Sequence, residues 1–357
     1  MAGMVVSRSF WSGRRVFLTG HSGFKGGWLG LWLSELGAQV YGYSLAPSTA
    51  PALHDCLGLG ERMAGEFADI RDAAQLTRSL AEFRPDVVLH LAAQPLVRES
   101  YRTPADTYAT NVIGTLNLLE AVRQCDSVQA VLVVTSDKCY ENREWQWPYR
   151  EQDALGGHDP YSSSKACVEL LCASWRDSFL RERGVALATA RAGNVIGGGD
   201  WSADRLLPDI LRAWDAGESL VLRYPGAVRP WQHVLDPLQG YLLLAQALVE
   251  QGQAMAQAWN FGPDSEGTAT VGEVVQTMAA WWKGEARWSV EPLAQPHEAG
   301  LLTLDSSRAR QLLGWRPVWG LPQALRQTLE WHRAWHDGQD MQHYSRAQIA
   351  AHEGGNQ

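Results

Sequence analysis

The chain has 357 residues, 45% hydrophobic and 20% charged, with 31 basic against 39 acidic side chains and a formal net charge of -8. That length fits one large domain with a smaller partner. The acidic balance excludes a broad nucleic-acid surface, which needs a surplus of Lys and Arg. No apolar run approaches the ~20 residues that span a bilayer, so no membrane partner is expected.

Met1 to Ser12 lacks a continuous apolar stretch and a small-residue cleavage site, which argues against a secretory signal. Arg15 to Thr19 then reads as a strand ending in glycines, Gly26 to Leu36 as a helix and Gln39 to Leu45 as a second strand. Glu66 to Ile70, Asp86 to Ala93, Ala130 to Thr135 and Val185 to Arg191 are further strands. Helices are expected over Asp72–Glu82, Pro104–Arg123 and Pro160–Glu182. Apolar strands alternating with helices predict an α/β fold: a doubly wound parallel sheet covered on both faces. Beyond Arg191 come a glycine-rich stretch, Gly193 to Asp200, and a loop around Arg229-Pro230-Trp231. A helix over Pro237–Glu250 and a strand over Trp259–Gly262 return to the first pattern. Helices near Val271–Trp282, Ser306–Leu313 and Leu321–Trp335 follow, and His343–Gln357 reads as a polar, flexible tail. The division expected is 13–192 with 234–262 as a nucleotide-binding domain, and 193–233 with 263–342 as a smaller mixed α/β substrate domain.

Cys56, Cys125, Cys139, Cys167 and Cys172 are odd in number and scattered, which suits reduced thiols in a cytoplasmic enzyme. No Cys or His spacing suggests a metal site. The 17 tryptophans against 7 phenylalanines fit either carbohydrate stacking or core packing. Trp331 and Trp335, four apart on one helix, favour packing.

Gly20-His21-Ser22-Gly23-Phe24-Lys25-Gly26 follows the first strand and opens the first helix. Glycines there permit a tight turn and close backbone approach, and the helix N-terminus offers free N–H groups to a pyrophosphate. Three glycines alone could be a structural turn; the strand–turn–helix context favours a dinucleotide. Ser44 stands where an acidic residue would hold the adenosine ribose, and no Arg or Lys follows before Arg62. A 2′-phosphate is thus not supported, and NAD is the expected cofactor. Asp69-Ile70 could place a carboxylate near adenine or simply cap a strand, with the two readings even.

Tyr161 and Lys165 sit four residues apart, on one face of the helix that follows the fifth strand. A cation nearby favours phenolate, so Tyr161 could take a proton from a sugar hydroxyl. Thr135-Ser136-Asp137-Lys138 ends the fifth strand, at the sheet edge where ligands bind. By itself this would be a solvated loop; beside Tyr161 and Lys165 it is a hydroxyl, an acid and a possible base.

These features, with His90-Leu91-Ala92-Ala93-Gln94 and Asn111-Val112-Ile113-Gly114-Thr115, resemble the extended short-chain dehydrogenase/reductases (the NAD-dependent epimerase/dehydratase family) acting on nucleotide sugars. The resemblance covers nearly the whole chain. Asp137 followed by Lys138 resembles the members that dehydrate CDP-glucose, as do Gly197-Gly198-Gly199-Asp200-Trp201 and Arg229-Pro230-Trp231-Gln232-His233. It implies a Rossmann domain and NAD held by Gly20 to Gly26, Ser44, Asp69, Ile70, Leu91, Ala92, Ala93, Gln94, Asn111, Tyr161 and Lys165. It also implies internal oxidation at C4, loss of water across C5 and C6, and reduction at C6. Tyr161 would be the first base, lowered in pKa by Lys165, with Thr135 or Ser136 bonding the reacting oxygen and Asp137 protonating the leaving hydroxyl. Lys138 would either remove the C5 proton or steady the enolate, since a free lysine titrates near 10.4. Asn194, Arg205 and Arg229 are expected at phosphates or hydroxyls, with Trp201, His233 and His297 lining the sugar or cytosine pocket. His297 could equally be an exposed loop residue. Relatives pair through long helices, so a homodimer is expected, or a tetramer; Leu116, Leu119, Val168 and Leu171 could supply its apolar face or equally face the sheet. The rival readings are a 4-epimerase, a dehydratase for another nucleotide sugar, and a non-catalytic NAD-binding regulator.

Overall fold

The apolar runs pair into a seven-stranded parallel sheet in a computed structural model that describes residues 4–264, 267–290 and 300–355. In chain order the strands are β1 Arg15–Thr19, β2 Gln39–Ser44, β3 Ala64–Phe67, β4 Val87–His90, β5 Ala130–Val134 and β6 Ala186–Arg191. Short strands follow: β7 Val195–Ile196, β8 Leu220–Leu222, β9 Val228–Pro230, β10 Gln232–His233, β11 Ala258–Asn260, β12 Thr268–Thr270 and β13 Trp288–Val290. The large sheet runs β11-β6-β5-β4-β1-β2-β3. Its register is fixed by pairs such as Val16 with Val40 and with Val87, and Val131 with Leu187. Every residue of β4, β5 and β6 is buried, which explains why they read as unbroken apolar runs. Strand order reverses beside β1, and the crevice for a ligand opens above the C-terminal ends there.

The helix Pro160–Trp175 starts where its sequence prescribes. Asp159 accepts from Ser162 N at 2.9 Å and Pro160 fills the first turn. A π turn over Arg176–Leu180 extends it. The expected long helix over Pro104–Arg123 is Pro104–Tyr108, a π turn Ala109–Ile113 and Gly114–Arg123. Smaller elements gather around a second core that includes Ile196, Ile210, Trp214, Leu222, Met278 and Leu325.

Three expectations are corrected. The third strand is Ala64–Phe67, so Asp69 and Ile70 lie beyond it. Arg229-Pro230 is no loop: β9 pairs antiparallel with β12, and β7 within the glycine stretch pairs with β10. The tail is a helix, Met341–Gly354, capped by Asp340 and burying Met341, Ser345, Gln348, Ile349 and His352. Its polar residues find partners that the sequence does not display. Ser345 Oγ accepts from Trp331 Nε1 at 2.8 Å, and His352 Nε2 shares a 2.9 Å bond with Asp236 Oδ1.

The tryptophans mostly pack. Trp28, Trp32, Trp259, Trp315 and Trp331 are fully buried, and Trp28 Nε1 donates to Gly198 O at 2.9 Å. Among the described residues, no helix is long and apolar enough to cross a membrane.

Candidate functional site

A cleft of about 910 Å³ lies over the sheet's C-terminal edge. At one end, β1 stops at Thr19 and Gly20 adopts φ +76°, where a Cβ would fall 2.7 Å from Ala92 N. A Cβ on Gly26 would meet Gly20 O at 2.0 Å, so only glycine lets the turn fold down onto the helix Phe24–Glu35. The helix's N-cap, Gly23, has no side chain to occupy the first N–H groups, leaving them for an anion. Gly20, Ser22, Gly23, Phe24, Lys25 and Gly26 line this end; Ser44, Asp69, Ile70, Leu91, Ala92 and Ala93 continue the wall.

Three residues expected at the cofactor stand behind that wall. His21 is buried, shares a 3.1 Å hydrogen bond with Ser44 Oγ and stacks on Phe67. Burial, aided by His54, lowers its pKa to about 4. Asn111 accepts from Gln94 N at 2.8 Å and donates to Gln94 O and to Ser164 Oγ. The Gln94 side chain turns to Thr107. Asn111 thus ties the loop after β4 to the Tyr161 helix, and Gln94 ties it to the helix Pro104–Tyr108. Asp69 lines the cleft while Arg71 grips its carboxylate at 2.6 Å.

All six residues expected to react line the same cleft: Thr135, Ser136, Asp137, Lys138, Tyr161 and Lys165. Asp137 to Cys139 form one 3-10 turn directly after β5. Ser136 Oγ donates to Asp137 Oδ1 at 3.0 Å and is hydrogen-bonded with Tyr161. Asp137 is 1% exposed and rests on Gly193, where a Cβ would lie 1.7 Å from Oδ2; Asn194 Nδ2 donates to that oxygen at 3.5 Å.

Burial pushes the Tyr161 phenol up to about 12, against the bond with Ser136 and the charge of Arg205. Burial lowers Lys165 to about 8, opposed by Glu169. Its Nζ donates to Val134 O at 3.2 Å, and the charge of Arg205 also favours the Tyr161 phenolate. Lys25 falls to about 7 through burial and the charge of Arg205, with Asp137 opposing.

Toward the second core the cleft is lined by Asn194, Trp201, Arg205 and Arg229. Arg205 Nη1 pairs with Asp200 at 2.9 Å. Arg229 is buried, its Nη1 donating to Val228 O. Trp201 meets Trp331 and Trp335 edge-on while still facing the cleft. His233 does not reach the cleft: it is wholly buried against Trp319, 4.7 Å between rings, and its Nδ1 accepts from Leu235 N. His297 lies outside the described residues.

Sequence reading missed Arg98, Asp204 and Arg223, which also line the cleft. Asp204 Oδ1 lies 3.0 Å from Arg223 Nη2 and 3.7 Å from Arg98 Nε. Nothing local marks them, since these pairings join segments far apart in the chain.

A family model described as GDP-mannose 4,6 dehydratase matches residues 17–328. The CDP-glucose 4,6-dehydratase of Salmonella typhimurium strain LT2 is 49% identical over 97% of this chain and 98% of its own length. A dTDP-glucose 4,6-dehydratase of Xanthomonas campestris is 29% identical over 88% of this chain and 92% of its own. Among solved structures, a UDP-glucose-4-epimerase from Stenotrophomonas maltophila with bound NAD and formylated UDP-arabinopyranose superposes with a TM-score of 0.79 at 25% identity, covering 91% of this chain and 99% of that one. The dTDP-glucose 4,6-dehydratase of Bacillus anthracis in complex with NAD scores 0.75 at 20% identity, covering 91% and 98%, a likeness of fold.

Proposed function

Because the chain belongs to the GDP-mannose 4,6 dehydratase family, we propose that it dehydrates CDP-D-glucose to CDP-4-keto-6-deoxy-D-glucose using bound NAD. The observation that carries this reading is the Asp137–Lys138 turn set beside Tyr161 in one cleft, in a chain 49% identical to a CDP-glucose 4,6-dehydratase. The glycine turn fits NAD: its open helix terminus would hold the pyrophosphate, Ser44 and Asp69 would hold the adenosine and Lys165 the nicotinamide ribose. When bound, NAD supplies a hydride acceptor for C4 and a donor for C6.

The chain's own groups handle protons and position. Tyr161 Oη takes the proton of the glucose 4-hydroxyl, Ser136 bonds the same oxygen, and Lys165 and Arg205 favour the phenolate. A ketone at C4 acidifies C5–H; Lys138 removes that proton while the Asp137 carboxyl protonates the departing C6 oxygen. Thr135 has another duty, since its hydroxyl donates to Glu169. Arg205 and Arg229 suit the pyrophosphate because a guanidinium fork matches its oxygens; Asn194 and Trp201 border the sugar.

The finer readings join this proposal. The chain divides at 13–192 with 234–262 and 193–233 with 263–342. It pairs as a homodimer through the helical layer where Tyr101, Ile113, Leu170 and Phe179 are exposed. Leu119 and Val168, for which the sequence allowed either face, pack under the sheet. Five free cysteines suit a reducing, cytoplasmic compartment.

The test is a panel of CDP-, dTDP-, UDP- and GDP-glucose followed by the alkaline absorbance of a 4-keto product. Selective turnover of CDP-glucose is expected. Conversion of UDP-glucose to UDP-galactose without water loss would replace this reading with an epimerase.

A further inference from the structure

Beneath the turn bearing Asp137 and Lys138 lies a second charged cluster that the proton steps do not use. Glu169, on the helix Pro160–Trp175, and Arg191, the last residue of β6, pair at 2.7 Å with both side chains 3% exposed. Burying two charges costs several kcal/mol per ion unless hydrogen bonds satisfy them. Glu169 is satisfied: Thr135 Oγ1 donates to Oε1 at 2.5 Å and Thr189 Oγ1 to Oε2 at 2.8 Å. Arg191 Nη1 donates to Tyr140 Oη at 2.8 Å and to Glu151 O at 3.1 Å. Tyr140 Oη in turn donates to Asn260 Oδ1 at 2.7 Å.

Thr135 immediately precedes Ser136, and Tyr140 immediately follows the 3-10 turn Asp137–Cys139. One ion pair therefore grips both ends of the segment that carries the acid and the base. Within the turn Cys139 N reaches Ser136 O at 3.4 Å and Lys138 N reaches Ser136 Oγ at 3.2 Å, while Thr135 and Tyr140 tie the segment to the charged cluster. Glu169 and Arg191 do not line the cleft, whereas Thr135 and Tyr140 do. A well-packed apolar pair of the same volume would stabilise the fold as well. What the ion pair adds is hydrogen bonding directed at two fixed points.

We propose that the Glu169–Arg191 pair is a positioning device for water elimination, clamping Thr135 and Tyr140 so that Asp137 and Lys138 meet C6 and C5 in register. This rests on the reading of Asp137 and Lys138 as acid and base. Tyr140 follows the Asp137–Cys139 turn directly and stands four residues from Ser136, so loosening the Tyr140 end slows elimination more than oxidation at C4.

Tyr140→Phe tests it with little disturbance. The ring keeps its stacking on Tyr149 and its place under the Arg191 guanidinium, and only the hydroxyl is lost. With NAD-loaded protein and CDP-glucose, NADH formation and 4-keto-6-deoxy product formation are followed separately, alongside the melting temperature. Expected is NADH formation within about twofold of the parent, but water loss slowed about tenfold or more, so that NADH accumulates. Arg191→Lys, which keeps a cation for Glu169 without the fork, should show the same split. Both phases falling together, or neither falling in a folded Tyr140→Phe protein, would overturn the clamp. A parent protein that forms no NADH from CDP-glucose sinks the functional reading instead, which keeps the two failures apart.

Discussion

At the scale of single residues, the reacting groups divide by step. In the proposed reaction Tyr161 serves oxidation, so Tyr161→Phe should cut NADH formation by about 10²–10⁴-fold, the usual contribution of a positioned acid–base group. In the same proposal Lys138 serves elimination, so Lys138→Ala should still reduce NAD but stall before water is lost. Normal product formation by Lys138→Ala would remove it from the mechanism. These residues stand out in sequence because each belongs to a short spacing, Tyr161 to Lys165 or Thr135 to Lys138. His233 misled for the same reason. It sits in a motif-like segment, yet the ring packs between Trp28 and Trp319, and no spacing rule distinguishes a ring facing the cleft from one facing the core. Arg98, Asp204 and Arg223 had no spacing to betray them.

Elements show how backbone geometry serves the site. Gly198 lies in the glycine stretch below the substrate half of the cleft, and a Cβ there would fall 2.1 Å from Cγ of Trp331. Trp331 cannot yield easily, since its Nε1 is bonded to Ser345 on the C-terminal helix. Gly198→Ala should therefore cost about 1–3 kcal/mol through overpacking, measured by urea denaturation. An unchanged midpoint would mean that the indole has room the static geometry does not reveal. The C-terminal helix is the element that periodicity misjudged. Gln348 and His352 look solvated in a polar run, but Gln348 Nε2 donates to Gln327 O and His352 meets Asp236, so polar side chains share the buried face with Met341 and Ile349.

The whole molecule couples its buried bases to pH. Burial lowers His21 to about 4 and His90 to about 3, so in the native state both resist protons that the unfolded chain accepts near 6.5. Lys25 at about 7 and Lys165 at about 8 behave alike against an unfolded value of 10.5. In each case the folded pKa lies below the unfolded one and the unfolded state binds more protons. These groups thus make stability rise with pH, first between about 4 and 6.5 and again between about 7 and 10. The melting temperature of ligand-free protein should climb from pH 5 to pH 9; a decline over that range would contradict the burial of these groups. Assembly is the other whole-molecule property. Leu170, 60% exposed on the helical layer, is its most open apolar side chain. Leu170→Asp should shift a dimer toward monomer in sedimentation velocity, while an unaltered dimer would place the interface elsewhere.

By itself the sequence determined the sheet's apolar strands, the glycine turn at the first strand–helix junction, the Asp137–Lys138 turn and the Tyr161–Lys165 pair. Each is a local pattern, and a strand buried on both faces or a turn that admits only glycine leaves its mark within a few residues. The tertiary structure alone decided which polar side chains face the cleft. It turned His21, Asn111 and His233 away from it, brought Arg98, Asp204 and Arg223 onto its wall, and seated Arg205 near Tyr161. It also joined Glu169 to Arg191 beneath the catalytic turn, across 22 residues of chain. A side chain's direction and its long-range partner follow from how the layers pack, and packing is a property of the assembled sheet and helices, invisible to any short window of residues.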